Sequence, residues 1–181
     1  MGEGRRSALA HLLPWEAPDG SVTLAEAPFL RQIGVRRRGR ASAYLAGLPV
    51  PLEPNRVAVM GLVRVLWLGP DELLVTAPDE AVGGLMQRLA RIEGNVLADL
   101  SSSRAAIDIS GPGARPLLEK GCGIDLHPRE FGPFHCAQTL LARVPVIVEQ
   151  LTVAPSYRVF VRRSFAAWLC GWLIDAAGGQ P

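Results

Sequence analysis

Long apolar runs are missing from this sequence. No stretch comes near the roughly 20 apolar residues that a membrane-spanning helix needs, and the N-terminus, Met1-Gly-Glu-Gly-Arg-Arg-Ser7, lacks the apolar segment of a secretory signal peptide. Cysteine is scarce as well. Cys122, Cys136 and Cys170 are an odd, scattered set that favours reduced thiols over a disulfide framework. We therefore expect a cytoplasmic protein without membrane contact.

Strong net charge is also absent. The formal value is +2, which is too small to indicate a nucleic-acid partner. The basic residues are almost all arginine, and four of them cluster at Arg36, Arg37, Arg38 and Arg40. Three interpretations of this cluster stay open: a solvated turn, which is the usual role of short charged runs; a contact with an acidic partner, which suits the planar guanidinium; and nucleic-acid binding.

Apolar material, in contrast, is plentiful. Apolar residues make up 49% of the 181 residues and charged residues 20%, so the chain can bury a sizeable core and is not a disordered sequence. Its length fits one compact domain, or one domain of two similar halves. We expect an N-terminal arm at 1–20 and a single domain at 21–181.

The first half of the chain predicts alternating strands and helices. The arm carries a brief helix at Leu9–Leu13, bounded by prolines and the turn pair Asp19-Gly20. The predicted elements that follow are a strand from Phe29 to Val35, a helix from Ala41 to Leu48 that Pro49 stops, a hairpin of Val63–Leu68 with Leu73–Thr76 around Gly69-Pro-Asp-Glu72, and a helix from Asp79 to about Gly94.

The second half repeats this order. An offset of 74 residues carries Ile33 to Ile107 and Val35 to Ile109. A longer second hairpin, Val144–Val161, raises the offset to 84, which carries Val75 to Val159. We therefore predict an α+β fold of two similar strand-helix-strand-strand-helix units, at about 29–94 and 96–177, packed as one body.

The final helix of the second repeat is predicted at Ser164–Ala177. We expect its apolar side chains to point inward, and these are Phe165, Trp168, Leu169, Trp172 and Leu173. Trp15 lies outside any predicted core position, in the proline-bounded arm. An exposed tryptophan there is a candidate anchor on a partner protein.

Catalytic and cofactor patterns are weak. Gly111-Pro-Gly113 lacks the third glycine of a dinucleotide-binding turn and indicates a tight strand-to-helix turn, with Pro116 in the first helical turn. No sequence context activates a serine or cysteine nucleophile. Asp99 and Asp108 fall nine residues apart in one predicted extended segment, so they would lie on opposite faces of a regular strand.

A zinc site can be imagined from two thiols and two imidazoles within 15 residues. These are Cys122, His127, His135 and Cys136. Their spacing matches no compact zinc knuckle, and cysteine is among the residues most often buried without function. We predict no catalytic, cofactor-binding or metal site on this chain.

Four segments carry a family resemblance. Gly111 to Phe131 and His135 to Val146, together with Trp67-Leu-Gly-Pro-Asp-Glu72 and Val161-Arg-Arg-Ser-Phe165, are similar to the gamma subunit of heterotetrameric sarcosine oxidase. The similarity runs from about Ser7 to Ala177. That family is related to the folate-binding domain of the glycine-cleavage T-protein, so the resemblance implies a folate-binding-domain-like fold.

The resemblance also implies the chain's role. In such complexes the alpha and beta subunits carry FAD, FMN, NAD and the tetrahydrofolate site, and a delta subunit binds zinc. The assembly demethylates sarcosine oxidatively to glycine, with tetrahydrofolate as the one-carbon acceptor. This chain would then be a noncatalytic partner of the alpha, beta and delta subunits, in contact with them through Trp15 and the arginines of the Arg36–Arg40 cluster.

Other functions remain open beside this one. A related complex could act on another N-methyl amino acid, such as N-methylglutamate. A free-standing folate-dependent aminomethyltransferase would need an acid facing the pterin, and the resemblance brings only Asp71 and Glu72, at the tip of a hairpin, to that region. A third possibility is an adaptor with neither folate nor a flavin partner.

Overall fold

The protein was analysed as a computed structural model that describes residues 7–37, 43–81 and 83–178. These residues form a mixed strand-and-helix protein, as the sequence predicts. The strands are β1 (Trp15–Glu16), β2 (Thr23–Glu26), β3 (Arg31–Arg37), β4 (Tyr44–Leu45), β5 (Leu48–Pro49), β6 (Val57–Met60), β7 (Val63–Gly69), β8 (Glu72–Ala77), β9 (Asn95–Asp99), β10 (Arg104–Ser110), β11 (Cys136–Leu141), β12 (Val144–Thr152) and β13 (Ser156–Arg162). The helices are a 3₁₀ turn (Asp79–Ala81), α1 (Leu85–Ala90), α2 (Ala114–Glu119) and α3 (Arg163–Ala176).

The described residues divide into two compact units. One contains residues 29–102 and 134–137 and is built on a five-stranded sheet of order β6-β7-β8-β3-β9. The other contains the residues before 29, those from 103 to 133 and those from 138 onward, and its sheet has the order β1-β2-β10-β13-β12-β11. We call them the five-strand unit and the six-strand unit.

The core of the five-strand unit lies under alternating positions of its central strands. Ile33 and Val35 of β3 are buried beside their cross-strand neighbours Val75 and Leu73. Helix α1 adds Leu85 and Leu89, one turn apart on its buried face. The two-residue periodicity of strands and the four-residue repeat of a helix therefore meet in one apolar cluster.

The predicted hairpin around Gly69-Pro-Asp-Glu72 is confirmed, since β7 pairs with β8 through this turn. The predicted helix at Ala41–Leu48 is wrong over its described part. Residues 44–49 instead form the small hairpin β4-β5, whose turn residues Ala46 and Gly47 have φ of 53° and 84°. Such turns require positive φ at both positions. Alanine and leucine are strong helix formers, but helix propensity is a weak prior, and the turn at Ala46 and Gly47 overrides it.

Other element boundaries also differ from the prediction. Residues 8–12 form hydrogen-bonded turns and no helix, and β1 follows them at the edge of the sheet. The helix predicted from Asp79 to Gly94 shortens to the 3₁₀ turn and α1, because Gly84, with φ of 68°, breaks the helical path between them. The turn at Gly111-Pro-Gly113 leads into α2 with Pro116 in its first turn, as predicted.

The predicted hairpin at Val144–Val161 is confirmed as β12 and β13. It carries part of a row of buried and part-buried charges. Asp108 on β10 and Glu149 on β12 are both register partners of Arg158 on β13. Arg158 Nε and Nη2 donate to the two oxygens of Asp108 at 2.6 and 2.7 Å. Burial opposes the charge on Arg158, but the bond with Asp108 and the field of Asp108 and Glu149 raise its pKa above the ordinary value. The guanidinium therefore stays ionised inside the sheet.

Replacing this guanidinium should destabilise the protein. In Arg158→Met the fully buried Glu149 and the part-buried Asp108 lose their cation, so we expect the free energy of unfolding to fall by about 3–5 kcal/mol. Urea denaturation measures the change. The control is Arg129→Met, an exposed site that we expect to shift the free energy by no more than about 0.5 kcal/mol. Equal effects at the two positions would contradict the prediction.

Candidate functional site

One polar cleft lies in the five-strand unit. Its volume is about 290 Å³, and its charged groups are Arg31, Asp79 and Asp99. Arg31 Nε donates to Asp79 at 2.5 Å and its Nη1 to Asp99 at 3.3 Å. Hydrogen bonds from Ser101, and then Arg31, lower the pKa of Asp99. The cleft is open to solvent, and both of its carboxylates form ion pairs with Arg31. Neither carboxylate is therefore placed to act as a general base.

The two aspartates considered for paired chemistry lie far apart in the topology. The sequence suggests one continuous segment, but residues 100–103 interrupt it, so Asp99 ends β9 of the five-strand unit and Asp108 lies on β10 of the six-strand unit. The expectation of a single strand is therefore wrong. Asp99 pairs with Arg31 and Asp108 pairs with Arg158, and each carboxylate has a structural partner in its own unit.

The thiols and imidazoles considered for zinc have other neighbours. Cys136 is buried, and its Sγ lies 3.5 Å from the carbonyl oxygen of Arg56 and 3.4 Å from that of Trp67. The ring of His135 contacts the guanidinium of Arg56. Over residues 7–37, 43–81 and 83–178 the structure contains no group of three or more His, Cys, Asp or Glu side chains placed to hold a metal ion.

The cysteines are free thiols. Cys170 is buried in α3, and burial, reinforced by Glu26, raises its pKa to about 11. At neutral pH almost none of it is thiolate, the form that acts as nucleophile and metal ligand. Cys136 is buried as well, whereas Cys122 is partly exposed. The environment of Cys170 is the opposite of that of a catalytic cysteine.

Thiol titration checks this placement. At pH 8 we expect one thiol per native chain, Cys122, to react with a chromogenic disulfide within minutes, because a pKa near 11 leaves Cys170 about one part in a thousand ionised. Unfolding in urea should release all three. A Cys122→Ser variant is the control, and it should show no fast thiol. Two fast thiols in the native protein would contradict the assignment.

The arginine cluster falls partly within the described chain. Arg36, exposed at the end of β3, makes ion pairs with Asp71 at 3.2 Å and Glu72 at 3.0 Å. Arg37 also has a polar or electrostatic partner within the chain. Arg38 and Arg40 lie outside the described residues. The structure therefore brings Arg36 to the tip of the β7-β8 hairpin, where it occupies the two acids considered for a pterin.

Tetrahydrofolate does not fit that hairpin tip. A pterin site needs an acid that faces a pocket, but Asp71 is exposed, and Arg36 holds both acids at the surface. Neither acid lines the cleft around Arg31. Trp15, the other predicted contact, is half-buried on β1 and pairs in register with Leu24. No catalytic step is assigned to these groups.

Helix α3 agrees with its predicted bounds but not with its predicted orientation. Leu169 and Leu173 point inward as expected, whereas Phe165 and Trp168 are 43% and 55% exposed and Trp172 is half-buried. The inward expectation for Phe165 and Trp168 is wrong because Ala166, Cys170 and Ile174 complete the buried stripe instead. The sequence alone does not distinguish the two sides, since α3 is apolar on both.

No helix among the described residues is long and apolar enough to cross a membrane. The fold class follows from a likeness to the glycine cleavage system aminomethyltransferase T of Bartonella henselae. The TM-score is 0.65 at 13% identity, over 94% of this chain and 49% of that one. This level of similarity shows a shared fold: the chain is a protein of the T-protein fold class.

The family follows from closer relatives. A sequence model of the sarcosine oxidase, gamma subunit family matches residues 40–179. Proteins named sarcosine oxidase subunit gamma from Corynebacterium sp. (strain U-96) and Arthrobacter sp. are 38% and 39% identical, over 95% of this chain and 89% of each relative. A chain of the heterotetrameric sarcosine oxidase from Corynebacterium sp. U-96, solved with pyrrole 2-carboxylate, has a TM-score of 0.84 at 36% identity, over 96% of this chain and 95% of that one. The chain belongs to the sarcosine oxidase gamma subunit family.

Proposed function

We propose that this chain is the noncatalytic gamma subunit of a cytoplasmic heterotetrameric sarcosine oxidase. The observation that carries the proposal is the 38% identity with a named gamma subunit over 95% of this chain. The fold shared with a chain of the heterotetramer supports it. The assembly would demethylate sarcosine oxidatively to glycine, with tetrahydrofolate accepting the one-carbon unit. FAD, FMN, NAD, tetrahydrofolate and zinc would reside on the alpha, beta and delta subunits.

The local chemistry of the described residues supports a noncatalytic role. The acids of the cleft and of the hairpin tip are engaged by Arg31 and Arg36, and Cys170 is buried with a raised pKa. A related complex for another N-methyl amino acid would use the same chain, because the substrate would not touch it. A free-standing aminomethyltransferase has in its favour the fold shared with aminomethyltransferase T, but Arg36 occupies the acids it would need.

We also propose that residues 29–94 and 96–177 are an internal duplication, carried by one domain at 21–181 behind the arm at 1–20. The sheets support this, because β6-β7-β8-β3-β9 and β11-β12-β13-β10-β2 share one order of strands. The offsets of 74 and 84 residues agree with the register, in which Ile33 pairs with Val75 and Ile107 with Val159. The fifth strands are alike as well: Thr23-Leu-Ala-Glu26 in one sheet and Val96-Leu-Ala-Asp99 in the other.

Co-expression with the alpha, beta and delta subunits tests the proposed function. We expect the chain to co-purify with an affinity-tagged alpha subunit in a defined ratio, measured by native mass spectrometry. The isolated chain should retain no flavin absorbance after dialysis and should not turn over sarcosine, because the acids of its cleft and of its hairpin tip are paired with Arg31 and Arg36. Failure of the untagged wild-type chain to enter the complex, or sarcosine turnover by the chain alone, would overturn the proposal.

Trp15 and the arginine cluster are the proposed partner contacts. We expect Arg36→Glu to reduce recovery of the chain in the complex about fivefold, since it reverses an exposed charge at a predicted rim contact. The matched control in the same unit is Arg88→Glu, on the exposed side of α1, which should leave recovery unchanged. If both variants assemble like the wild type, Arg36 is not a contact.

A further inference from the structure

Helix α3 of the six-strand unit has no polar face. Over its 14 residues the polar side chains apart from Cys170 are Arg163, Ser164 and Asp175. One side is fully buried, and the other exposes Phe165 and Trp168. A surface helix normally turns charged residues to solvent, and a helix that is apolar all round is normally covered on both sides. The outer side of α3 therefore has the composition of a buried surface.

The exposed aromatic residues of α3 continue into a packed tryptophan, Trp172. Phe165, Trp168 and Trp172 follow one another at spacings of three and four, so they form one continuous strip, which we call the aromatic strip. Trp172 is held against Gly121, where an added Cβ would lie 2.6 Å from the indole ring. Tryptophan anchors that are fixed before binding lose little entropy on association and dominate interface energies.

Positive charge at the N-terminal end of α3 opposes the helix dipole. Arg163 begins the helix, with no acid in the first turn, and Arg162 is exposed at the N-cap. These arginines disfavour the helix, because its N-terminus carries partial positive charge. At the other end, Lys120 donates to the carbonyl oxygen of Ala176 at 2.5 Å. The two arginines therefore fit an acidic partner better than they fit their own helix.

We propose that the aromatic strip docks on another subunit of the complex. The partner surface would be an apolar groove with carboxylates beside Arg162 and Arg163. The inference rests on the proposed function, and the heterotetrameric nature of the structural relative favours a different subunit over a second copy of this chain.

The test compares two aspartate substitutions in the assembled complex. Trp168→Asp places a charge at the centre of the aromatic strip. Val153→Asp places the same charge at another exposed apolar site of the six-strand unit, 83% exposed between β12 and β13. Each chain is co-expressed with the tagged alpha subunit and with the beta and delta subunits. We expect Trp168→Asp to lower recovery of the chain in the complex roughly 30-fold, and Val153→Asp to leave it unchanged.

Further arms separate the possible outcomes. Circular dichroism checks that both variants fold, as expected for exposed positions. Arg163→Glu should reduce recovery about fivefold, with a smaller loss at high salt. Wild-type recovery of Trp168→Asp overturns the inference. The inference is also overturned if the isolated wild-type chain dimerises through the aromatic strip and the Trp168→Asp variant still enters the complex. If the wild-type chain itself stays outside the complex, the proposed function has failed instead.

Discussion

The pairing of Arg158 with Asp108 and Glu149 constrains the six-strand unit more than any single apolar contact. It joins β10, β13 and β12 at one level of the sheet. A slip of one residue would turn these charges to the opposite face, because side chains alternate along a strand. The buried Glu149 and the part-buried Arg158 and Asp108 would then lose one another as partners, at a cost of several kcal/mol. The row therefore specifies register, which a uniformly apolar sheet specifies less strictly.

The corresponding register positions of the five-strand unit hold uncharged residues. Gly34, Leu74 and Leu66 occupy the register positions that Asp108, Arg158 and Glu149 hold in the other sheet. Leu66 and Leu74 are fully buried. Gly34 leaves room for Leu100, since an added Cβ would lie 2.9 Å from its Cδ1. Two sheets of like order thus carry chemically distinct rows, which lowers the chance that strands of one sheet pair with those of the other.

Sequence reasoning found the hairpins and the last helix because short-range signals specify them. Turn residues between β-prone runs marked β7-β8 and β12-β13, and helical spacing marked α3. It missed β4-β5 because alanine and leucine are strong helix formers, whereas the turn with positive φ at Ala46 and Gly47 overrides that propensity in the fold. It misplaced Phe165 and Trp168 because an all-apolar helix does not reveal its inner side. The cleft around Arg31 could not be predicted from the sequence, because its charged residues 31, 79 and 99 are far apart along the chain.

The strand order has a consequence for folding. β2 directly precedes β3 in the chain yet pairs with β10, while β9 directly precedes β10 yet pairs with β3. Each sheet therefore takes its fifth strand from the other half of the sequence. An excised half would leave the edge of β3 or β10 unpaired, and such an edge recruits other chains. The similar sequences Leu24-Ala-Glu26 and Leu97-Ala-Asp99 therefore complete the sheets by exchange, and each sheet depends on residues from both halves of the sequence.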